Sequence, residues 1–495
     1  MVMVAQGHLG FALANSKIYS DILIPKYYDP EILRRLEKMK SSHQLTSLGE
    51  LIEEKHLLVT TGDEIGKMAY GTGDIPFIRT SDIGNWEIKA DPKQGISTLI
   101  YEQYGEKQDI QSGDLLFVRD GTYLIGQTCL ITSHDLPCLI QSHILKFRVN
   151  RTAPWSAGLI MACLNCPIVK RQIRSKQFTA DIIDTIGNRY QELVLPFPKD
   201  AACAMLITAE IQENVDQRAL LREKIRKIPL WAEGIIADLD KTVPTEWIWR
   251  LEIPGNPGFA LPASQIKGGI FVPKYYDPKL EKDLEKLSKT HELVSLGKLA
   301  KAEQISWDTG IEVGKMAYGT GTIPFIRTSD LSNWELKGDP KQSVSAGIYE
   351  ANKQDVLAED IFVVRDGTYL VGSSCILTEH DTRILYCGGV YKFRVMKKEK
   401  LDPYLLLALL NTPIVRRQMR SKQFTRDIID TLGKRIFEVV LPIPKDKKVC
   451  QRVAAETREV IETRVRLRNR AKEIALEVEG IERPRPEDLE ALEEL

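Results

Sequence analysis

Two sets of acidic residues followed by a lysine could, by residue type, hold a divalent metal ion. The sets share one spacing and are Asp82, Glu87 and Lys89, and Asp330, Glu335 and Lys337. Metal-dependent nucleases use carboxylates to bind the ion that stabilises the attacking and leaving oxygens. Such centres place the first carboxylate on one strand and the Glu-x-Lys on the next, whereas Asp82 and Glu87 belong to one short segment. The spacing therefore argues against a nuclease.

Other motifs that could bind a cofactor or a metal ion are incomplete. Gly71-Thr-Gly73 precedes a predicted strand and not a helix N-terminus, so a tight turn explains it better than phosphate binding. The sequence has no Gly-x4-Gly-Lys-Ser/Thr loop for ATP and no Asn/Asp-Pro-Pro-aromatic motif for methyl transfer. Cys163 and Cys166 have metal-knuckle spacing, but no second cysteine pair lies near them, so we predict buried thiols. We predict no catalytic residue, metal site or cofactor on this chain.

Positive charge is clustered in two equivalent segments, each of which continues into Gln-Phe-Thr. The basic residues are Lys170, Arg171, Arg174 and Lys176 in the first segment, and Arg416, Arg417, Arg420, Lys422 and Arg426 in the second. A solvated helix face would explain the charge alone. The mixture of cations with amide, aromatic and hydroxyl groups also suits phosphates and base edges. We predict DNA contacts by Arg174, Lys176 and Gln177, and by Arg420, Lys422 and Gln423.

A second group of polar and aromatic residues occurs twice with the same spacing. In the first half of the chain it comprises Lys67, Tyr70, Arg79, Thr80, Ser81, Asn85, Trp86, Arg119, Thr122 and Tyr123. Its counterparts are Lys315, Tyr318, Arg327, Thr328, Ser329, Asn333, Trp334, Arg365, Thr368 and Tyr369. Packing alone would not keep so many polar groups in both copies while their neighbours differ. We predict that both groups bind DNA.

These residues belong to an internal repeat that organises the whole chain. Pro25-Lys-Tyr-Tyr-Asp-Pro30 returns 248 residues later as Pro273-Lys-Tyr-Tyr-Asp-Pro278. Further along, Val118-Arg-Asp-Gly-Thr-Tyr-Leu124 returns 246 residues later, from Val364. A period this long is not that of a solenoid, so the chain is a duplicated domain with a segment after each copy.

Each copy predicts a β-rich globular part followed by a long helix. Short β-branched and aromatic runs, such as Ile75-Pro-Phe-Ile78, are bounded by Gly and Asp turns and predict strands. Apolar residues at three-four spacing over 201–239 and 446–480 predict helices rich in Glu, Lys and Arg. Each helix could pack on its own domain, but two at equivalent positions favour an antiparallel pair or short coiled coil.

Composition narrows the class of protein further. The 495 residues contain 68 Lys and Arg against 68 Asp and Glu, with 43% hydrophobic residues, which are values of a globular protein. No apolar stretch approaches the length of a membrane span, and the N-terminus lacks a signal-peptide pattern. The eight scattered cysteines fit reduced thiols. We expect a cytoplasmic protein that does not bind a membrane.

The repeated motifs resemble those of the specificity (S) subunit of type I restriction-modification enzymes. The resemblance rests on Ile75-Pro-Phe-Ile-Arg-Thr-Ser-Asp82, Asp114-Leu-Leu-Phe-Val-Arg-Asp-Gly121, Leu164-Asn-Cys-Pro-Ile-Val169 and Arg174-Ser-Lys-Gln-Phe-Thr179, with their second-copy counterparts. It implies that each domain reads one half of a split double-stranded DNA site. It also implies helices that set the half-site spacing and dock modification subunits, which bind S-adenosylmethionine, with or without restriction subunits. Such a chain has no catalytic centre of its own.

The fold predicted from the repeat and the resemblance is mixed α+β. Two target-recognition domains stand in pseudo-two-fold tandem and are separated by long helices packed antiparallel. The predicted ranges are 1–197 for domain 1, 198–250 for the central helix and linker, 251–443 for domain 2, 444–482 for the C-terminal helix and 483–495 for an acidic tail. Two similar domains about such an axis would read similar half-sites on opposite strands, so we expect a nearly palindromic site.

Three alternatives stay open at this stage. The chain could be a duplicated DNA-binding module of another defence or modification system. It could be a self-sufficient nuclease or methyltransferase whose site the motifs do not reveal. It could also be a protein-interaction scaffold with solvated basic runs.

Overall fold

The computed structural model of the chain forms two compact units, each assembled from separate stretches of sequence. It describes residues 18–19, 22–92, 94–121, 124–180, 183–241, 259–367, 370–426 and 429–480. Unit 1 comprises Met1–Ile65, Tyr104–Asp216 and Arg470–Leu495, and unit 2 comprises Gly66–Gln103 and Gln217–Asn469. The acidic tail proposed for 483–495 lies outside the described residues. The domain boundaries derived from the sequence stay predictions.

Helices and strands follow one another in the same order in both repeats. In the first repeat they are α1 (Pro30–Met39), β1 (His43–Ser47), α2 (Leu48–Glu53), β2 (Leu57–Thr61), β3 (Ile75–Ile78), β4 (Ile83–Gly84), β5 (Glu87–Ile88), β6 (Gln94–Ile96), α3 (Thr98–Gln108), β7 (Leu115–Val118), β8 (Thr128–Leu130), β9 (Leu139–Ile140), β10 (Ile144–Val149), α4 (Ala157–Asn165), α5 (Pro167–Lys176), β11 (Phe178–Ala180), β12 (Ile183–Thr185), β13 (Val194–Pro198) and the long helix α6 (Ala201–Ala232).

The second repeat matches it element by element. Its elements are α7 (Pro278–Leu287), β14 (His291–Ser295), α8 (Leu296–Lys301), β15 (Ile305–Thr309), β16 (Ile323–Ile326), β17 (Leu331–Ser332), β18 (Glu335–Leu336), β19 (Gln342–Val344), α9 (Ala346–Asn352), β20 (Ile361–Val364), β21 (Ser374–Ile376), β22 (Leu385–Tyr386), β23 (Val390–Val395), α10 (Pro403–Leu410), α11 (Pro413–Lys422), β24 (Phe424–Arg426), β25 (Ile429–Thr431), β26 (Val440–Pro444) and the long helix α12 (Lys447–Glu477). The predicted mixed α+β class is confirmed.

A four-stranded antiparallel sheet forms the centre of each repeat, in the orders β2-β10-β7-β8 and β15-β23-β20-β21. All four residues of β20 are buried, as are all four of β7. Strands covered on both faces need apolar side chains on both, which explains the runs Ile-Phe-Val-Val and Leu-Leu-Phe-Val. In unit 2 a smaller sheet pairs β16 antiparallel to β19 and parallel to β22.

The apolar segment before each basic run forms two helices with a break at the proline. All eight residues of α10 are buried, which suits a helix that is apolar on every side. Pro413 opens α11 and Pro167 opens α5. Proline is tolerated at the first helical position, because the N–H group it lacks would have no partner within the helix.

The long helices α6 and α12 pack together, and their contacts run antiparallel. Within unit 2, Lys224 donates to Glu456 over 3.0 Å, while Arg218, two turns earlier in α6, donates to the main-chain oxygen of Arg464, two turns later in α12, over 3.3 Å. Within unit 1, Arg470 of α12 bonds to Glu210 of α6. A helix of 32 residues, the length of α6, is about 48 Å long. Across the described residues, no helix has the length and apolar character needed to cross a bilayer.

Candidate nucleic-acid interface

Lys67 and Lys315 stand on identical one-turn 3₁₀ segments, Lys67–Ala69 and Lys315–Ala317. Both lysines are exposed, and within the described chain neither ammonium group has a hydrogen bond or an ion pair. The tyrosine that follows each turn is half-buried and packs on a strand residue, with ring centroids 5.7 Å apart for Tyr70 and Phe77. The turn therefore presents a cation that no described residue neutralises.

Arg79 and Arg327 follow the strands β3 and β16 and lie over these tyrosines. The guanidinium carbon of Arg79 is 5.8 Å from the centroid of Tyr70, and that of Arg327 is 5.9 Å from Tyr318. Neither guanidinium group has a carboxylate partner in the part of the chain that the structure describes, and the buried Nε of Arg79 has no hydrogen-bond partner there. A half-exposed arginine of this kind can take a phosphate or a guanine edge.

The hydroxyl residues after each arginine, Thr80 and Ser81 or Thr328 and Ser329, are half-buried in a short 3₁₀ turn. In unit 2 this strand end lies close to the segment that carries Arg365. A Cβ atom added to Gly389 would lie 2.9 Å from Thr328 Cγ2, and the Gly389 carbonyl accepts the Arg365 N–H over 2.8 Å. The structure thus brings together two segments that are far apart in sequence.

Arg119 and Arg365 are each held by the aspartate that follows them. Arg119 donates to Asp120 from Nε and Nη2 at 3.0 and 2.9 Å, and Arg365 donates to Asp366 at 2.9 and 2.7 Å. Burial alone would raise the pKa of Asp120, but hydrogen bonds from His143, Arg119 and Thr185 lower it to about 2. These arginines are oriented, half-exposed and partly neutralised.

The basic helix ends are mostly occupied by contacts inside the protein. Lys176 donates to Glu192 over 2.6 Å and lies 4.3 Å from the Tyr27 ring centroid. Lys422 makes the matching contacts to Glu438 and Tyr275, at 3.3 and 4.5 Å.

The buried glutamines Gln177 and Gln423 donate to Asp184 and Asp430, over 2.9 and 2.7 Å. Arg174 is exposed and donates to Gln177, while Arg420 is half-buried and donates to Gln423. Burial and the neighbouring Arg416 lower the pKa of Arg420 to about 10.

Asn85, Trp86, Asn333 and Trp334 form the turns of two hairpins, β4–β5 and β17–β18. All four have positive φ, between 49° and 67°. Trp86 and Trp334 are 7% and 4% exposed.

Each asparagine is bonded to the hairpin of the other repeat. Asn85 donates to Glu335 over 3.0 Å and accepts the Gly338 N–H over 2.7 Å, while Asn333 donates to Glu87 over 2.8 Å and accepts the Ala90 N–H over 2.7 Å. The asparagine side chains are thus used inside the protein, and the tryptophan side chains are buried.

A buried cluster of charged side chains lies where the two hairpins meet the long helices. This arginine–glutamate cluster consists of Arg218 and Arg222 from α6, Arg464 and Arg468 from α12, and Glu87 and Glu335 from the hairpins. Arg218 donates to Glu335 over 2.9 Å, and Arg464 donates to both glutamates. Burial alone would raise the pKa of Glu335, but Arg218, Arg464 and Arg468 lower it below its usual range.

Sequence reasoning missed this cluster, although a signal for it existed. Arg218 and Arg464 are 246 residues apart, as are Arg222 and Arg468, which is the offset of the later part of the repeat. The cluster also shows the role of Glu87 and Glu335, whose spacing from an aspartate and a lysine suggested a metal site: both accept hydrogen bonds from buried arginines. Among the described residues, no group of three or more His, Cys, Asp or Glu side chains could hold a metal ion.

Thr122, Tyr123, Thr368 and Tyr369, which the sequence also predicts to contact DNA, lie outside the described residues. All eight cysteines are free thiols, and Cys163 and Cys166 are buried, as predicted.

Comparison with known proteins gives likenesses of fold only. No protein-family model matches the sequence, and no curated protein sequence matches it. A type I restriction-modification system S subunit from M. genitalium is similar at 12% identity, with a TM-score of 0.33 over 88% of this chain and 94% of that one. The HsdS subunit from Thermoanaerobacter tengcongensis is similar at 16% identity, with a TM-score of 0.26 over 89% of this chain and 95% of that one. A chain from a structure of the assembly and conformational transition of the type I R-M system has 16% identity and a TM-score of 0.28, over 89% of this chain and 98% of that one.

Proposed function

We propose that this chain is a non-catalytic protein that recognises a split, nearly palindromic site in double-stranded DNA. The observation that carries the proposal is the duplicated turn and strand end, in which Lys67 and Arg79, and again Lys315 and Arg327, have no carboxylate partner among the described residues. Phosphate contacts by such cations position a protein on DNA, and arginine can also read guanine in the major groove.

The DNA-contacting set combines these cations with the half-exposed groups beside them. In the first repeat it comprises Lys67, Tyr70, Arg79, Thr80, Ser81, Arg119, Thr122, Tyr123 and Arg174. In the second it comprises Lys315, Tyr318, Arg327, Thr328, Ser329, Arg365, Thr368, Tyr369 and Arg420. Lys176, Gln177, Lys422 and Gln423 act by holding the adjoining loops, because their polar groups bond to aspartate and glutamate side chains.

We further propose that the chain works in the cytoplasm as the specificity subunit of a type I restriction-modification complex. Its motifs resemble that family, and α6 and α12 together offer a long paired helical surface on which modification subunits could dock. Those subunits would bring S-adenosylmethionine, and restriction subunits would join them in systems that cleave DNA. This chain would hold no cofactor.

The proposal is tested by co-expressing the chain with its genomic neighbours and mapping methylated adenines in the host DNA. We expect a split motif that disappears when the chain is deleted. The double variant Lys315→Gln/Arg327→Gln should relax or lose one half of the motif. The double variant Lys67→Gln/Arg79→Gln should relax or lose the other half. In a binding assay on the selected duplex, log affinity falls as log salt concentration rises. Each double variant should make this slope shallower by about two, if both side chains contact phosphate.

A matched control removes the same charge elsewhere. Lys282 and Arg151 are exposed, lie outside α6 and α12, and have no ion pair in the described chain, so the double variant Lys282→Gln/Arg151→Gln should leave the motif and the slope unchanged. Unchanged methylation on deletion of the chain would refute the proposal. A chain that binds no DNA but retains protein partners would instead favour the protein-interaction scaffold.

A further inference from the structure

Met68 and Met316 are the most exposed large apolar side chains in the described residues, with 91% and 92% of their surface accessible. They occupy the same position in the two repeats. Leu23 and Phe271 are also exposed at equivalent positions but differ in residue type, and the exposed Leu33 and Leu58 correspond to Glu281 and Ser306. An identical, fully exposed methionine in both copies therefore needs an explanation other than drift of the surface.

The turn that carries each methionine is held by hydrogen bonds on both sides. In the first repeat, the Ala69 N–H donates to the Gly66 carbonyl over 2.9 Å, and Thr72 Oγ1 donates to the Ala69 carbonyl over 2.7 Å. In the second repeat, the corresponding bonds to Gly314 and Ala317 have the same lengths, 2.9 and 2.7 Å. The methionine side chain thus extends from an ordered support, so little backbone entropy is lost when it binds.

The immediate surroundings of each methionine are small, polar or charged. Gly66, Lys67, Gly71 and Thr72 are exposed, while Ala69 is buried under the turn. Contiguous apolar patches larger than several hundred Å² mark protein-docking sites, and these neighbours do not provide one. A single apolar side chain beside a cation is instead sufficient to wedge apart two stacked base pairs.

We propose that Met68 and Met316 insert between neighbouring base pairs, one in each half of the recognised site, and kink the DNA there. The inference rests on the proposed DNA-recognition function. Insertion from the minor groove partly unstacks one base step and bends the duplex by roughly 20–90° at that point. Lys67 or Lys315, the residue before each methionine, contacts the phosphate beside the opened step, and Arg79 or Arg327 lies over the tyrosine behind it.

Two inserted methionines would add sequence information that no hydrogen bond supplies. Pyrimidine–purine steps unstack more easily than others, so each half-site should contain such a step at the kink. The step would be required even though no polar side chain reads it.

The experiment uses the full chain and a duplex that the wild-type chain selects from a randomised pool. 2-Aminopurine, whose fluorescence rises on unstacking, is placed at successive positions, and end-to-end energy transfer reports the bend. We expect one bright step in each half-site with the wild type. Met68→Ala should abolish the signal in one half-site, and Met316→Ala in the other. Each substitution should also reduce the bend and weaken binding by no more than about tenfold, because the cations remain.

Met68→Leu and Met316→Leu serve as matched variants, since leucine keeps an apolar wedge of similar volume and should keep the signal. The side chains are exposed, so none of these changes threatens the fold. Selection of a site without any bright step, or a signal that survives both alanine changes, would overturn the inference and leave the recognition function standing. If the wild-type chain selects no sequence, the proposed function fails, and this inference fails with it.

Discussion

At the residue scale, a substitution of Arg464 tests how much the arginine–glutamate cluster contributes to stability. Its side chain is fully buried and donates to both Glu87 and Glu335. Buried charges are costly to desolvate, and the cost is offset only while each charge keeps its partners. We expect Arg464→Ala to lower the free energy of unfolding by about 3–5 kcal/mol, because it leaves two buried carboxylates to fewer arginines. Urea unfolding followed by tryptophan fluorescence measures this, since Trp86 and Trp334 lie in the same hairpins.

Arg466 provides the matched control on the same helix. It is exposed and has no ion pair among the described residues, so Arg466→Ala should change the free energy of unfolding by less than about 0.5 kcal/mol. Equal effects of the two substitutions would show that the cluster does not stabilise the fold.

The sequence predicts a set of polar residues for DNA binding, but not what each of them contacts within the protein. Asn85 and Asn333 recur with their neighbours, which is equally expected of a DNA contact and of a contact between repeats. Only the structure shows that the positive φ of the Asn-Trp turn directs each asparagine to the opposite hairpin. Lys67, Arg79 and their counterparts, by contrast, lie half-exposed or exposed, where a DNA contact is possible.

At the scale of elements, a glutamate just beyond each long helix caps a helix of a globular domain. Glu233 follows α6 and accepts the Ile414 N–H of α11 over 2.8 Å, and Glu479 follows α12 and accepts the Ile168 N–H of α5 over 2.8 Å. Negative charge is favourable at a helix N-terminus. The two caps differ in one respect, because Glu479 also bonds to Arg35, whereas the residue equivalent to Arg35 is Asp283.

Glu233 should therefore make stability depend on pH. Burial raises the pKa of Glu233 to about 7. A carboxyl whose pKa is raised by folding stabilises the fold below its unfolded pKa, near 4.3, and loses that contribution as the pH rises through 7. Glu233→Gln keeps an oxygen for the Ile414 N–H and removes the charge. The variant should gain stability over the wild type between pH 5 and pH 8, by an amount on the order of 3 kcal/mol.

Urea unfolding at several pH values tests this prediction. Glu462 is exposed on α12, so Glu462→Gln should leave the pH profile parallel to that of the wild type. If the pH profile of Glu233→Gln is also parallel to that of the wild type, folding does not raise the pKa of Glu233.

Helices were predictable from the sequence because their periodicity and proline positions are local signals. Helices are predicted over 201–239 and 446–480, and the structure has them over Ala201–Ala232 and Lys447–Glu477. Each of them ends before a glycine with positive φ, Gly234 or Gly480, near the glutamate cap. The caps themselves were not predictable, since they join residues 181 and 311 positions apart.

For the whole molecule, the duplication predicts two similar half-sites, and the differences between the repeats predict where they diverge. His143 of the first repeat corresponds to Gly389 of the second. His143 Nδ1 lies 2.8 Å from Asp120, whose hydrogen bond raises the pKa of the imidazole. It stands beside Arg119, a proposed DNA-contacting residue, whereas Gly389 presents no side chain next to Arg365.

We therefore expect the two half-sites to differ at the base pair nearest this position, and His143→Gly to remove that difference. The variant lacks the imidazole, which can donate to a base edge, so the first half-site should lose its preference there and become more like the second. Methylation mapping of cells that express each variant measures the change directly. His134→Gly, at an exposed histidine elsewhere in the same repeat, should leave the motif as it is. If the wild-type half-sites are unrelated to each other, the two repeats do not read DNA through equivalent surfaces, and the symmetric interpretation of the duplication must be given up.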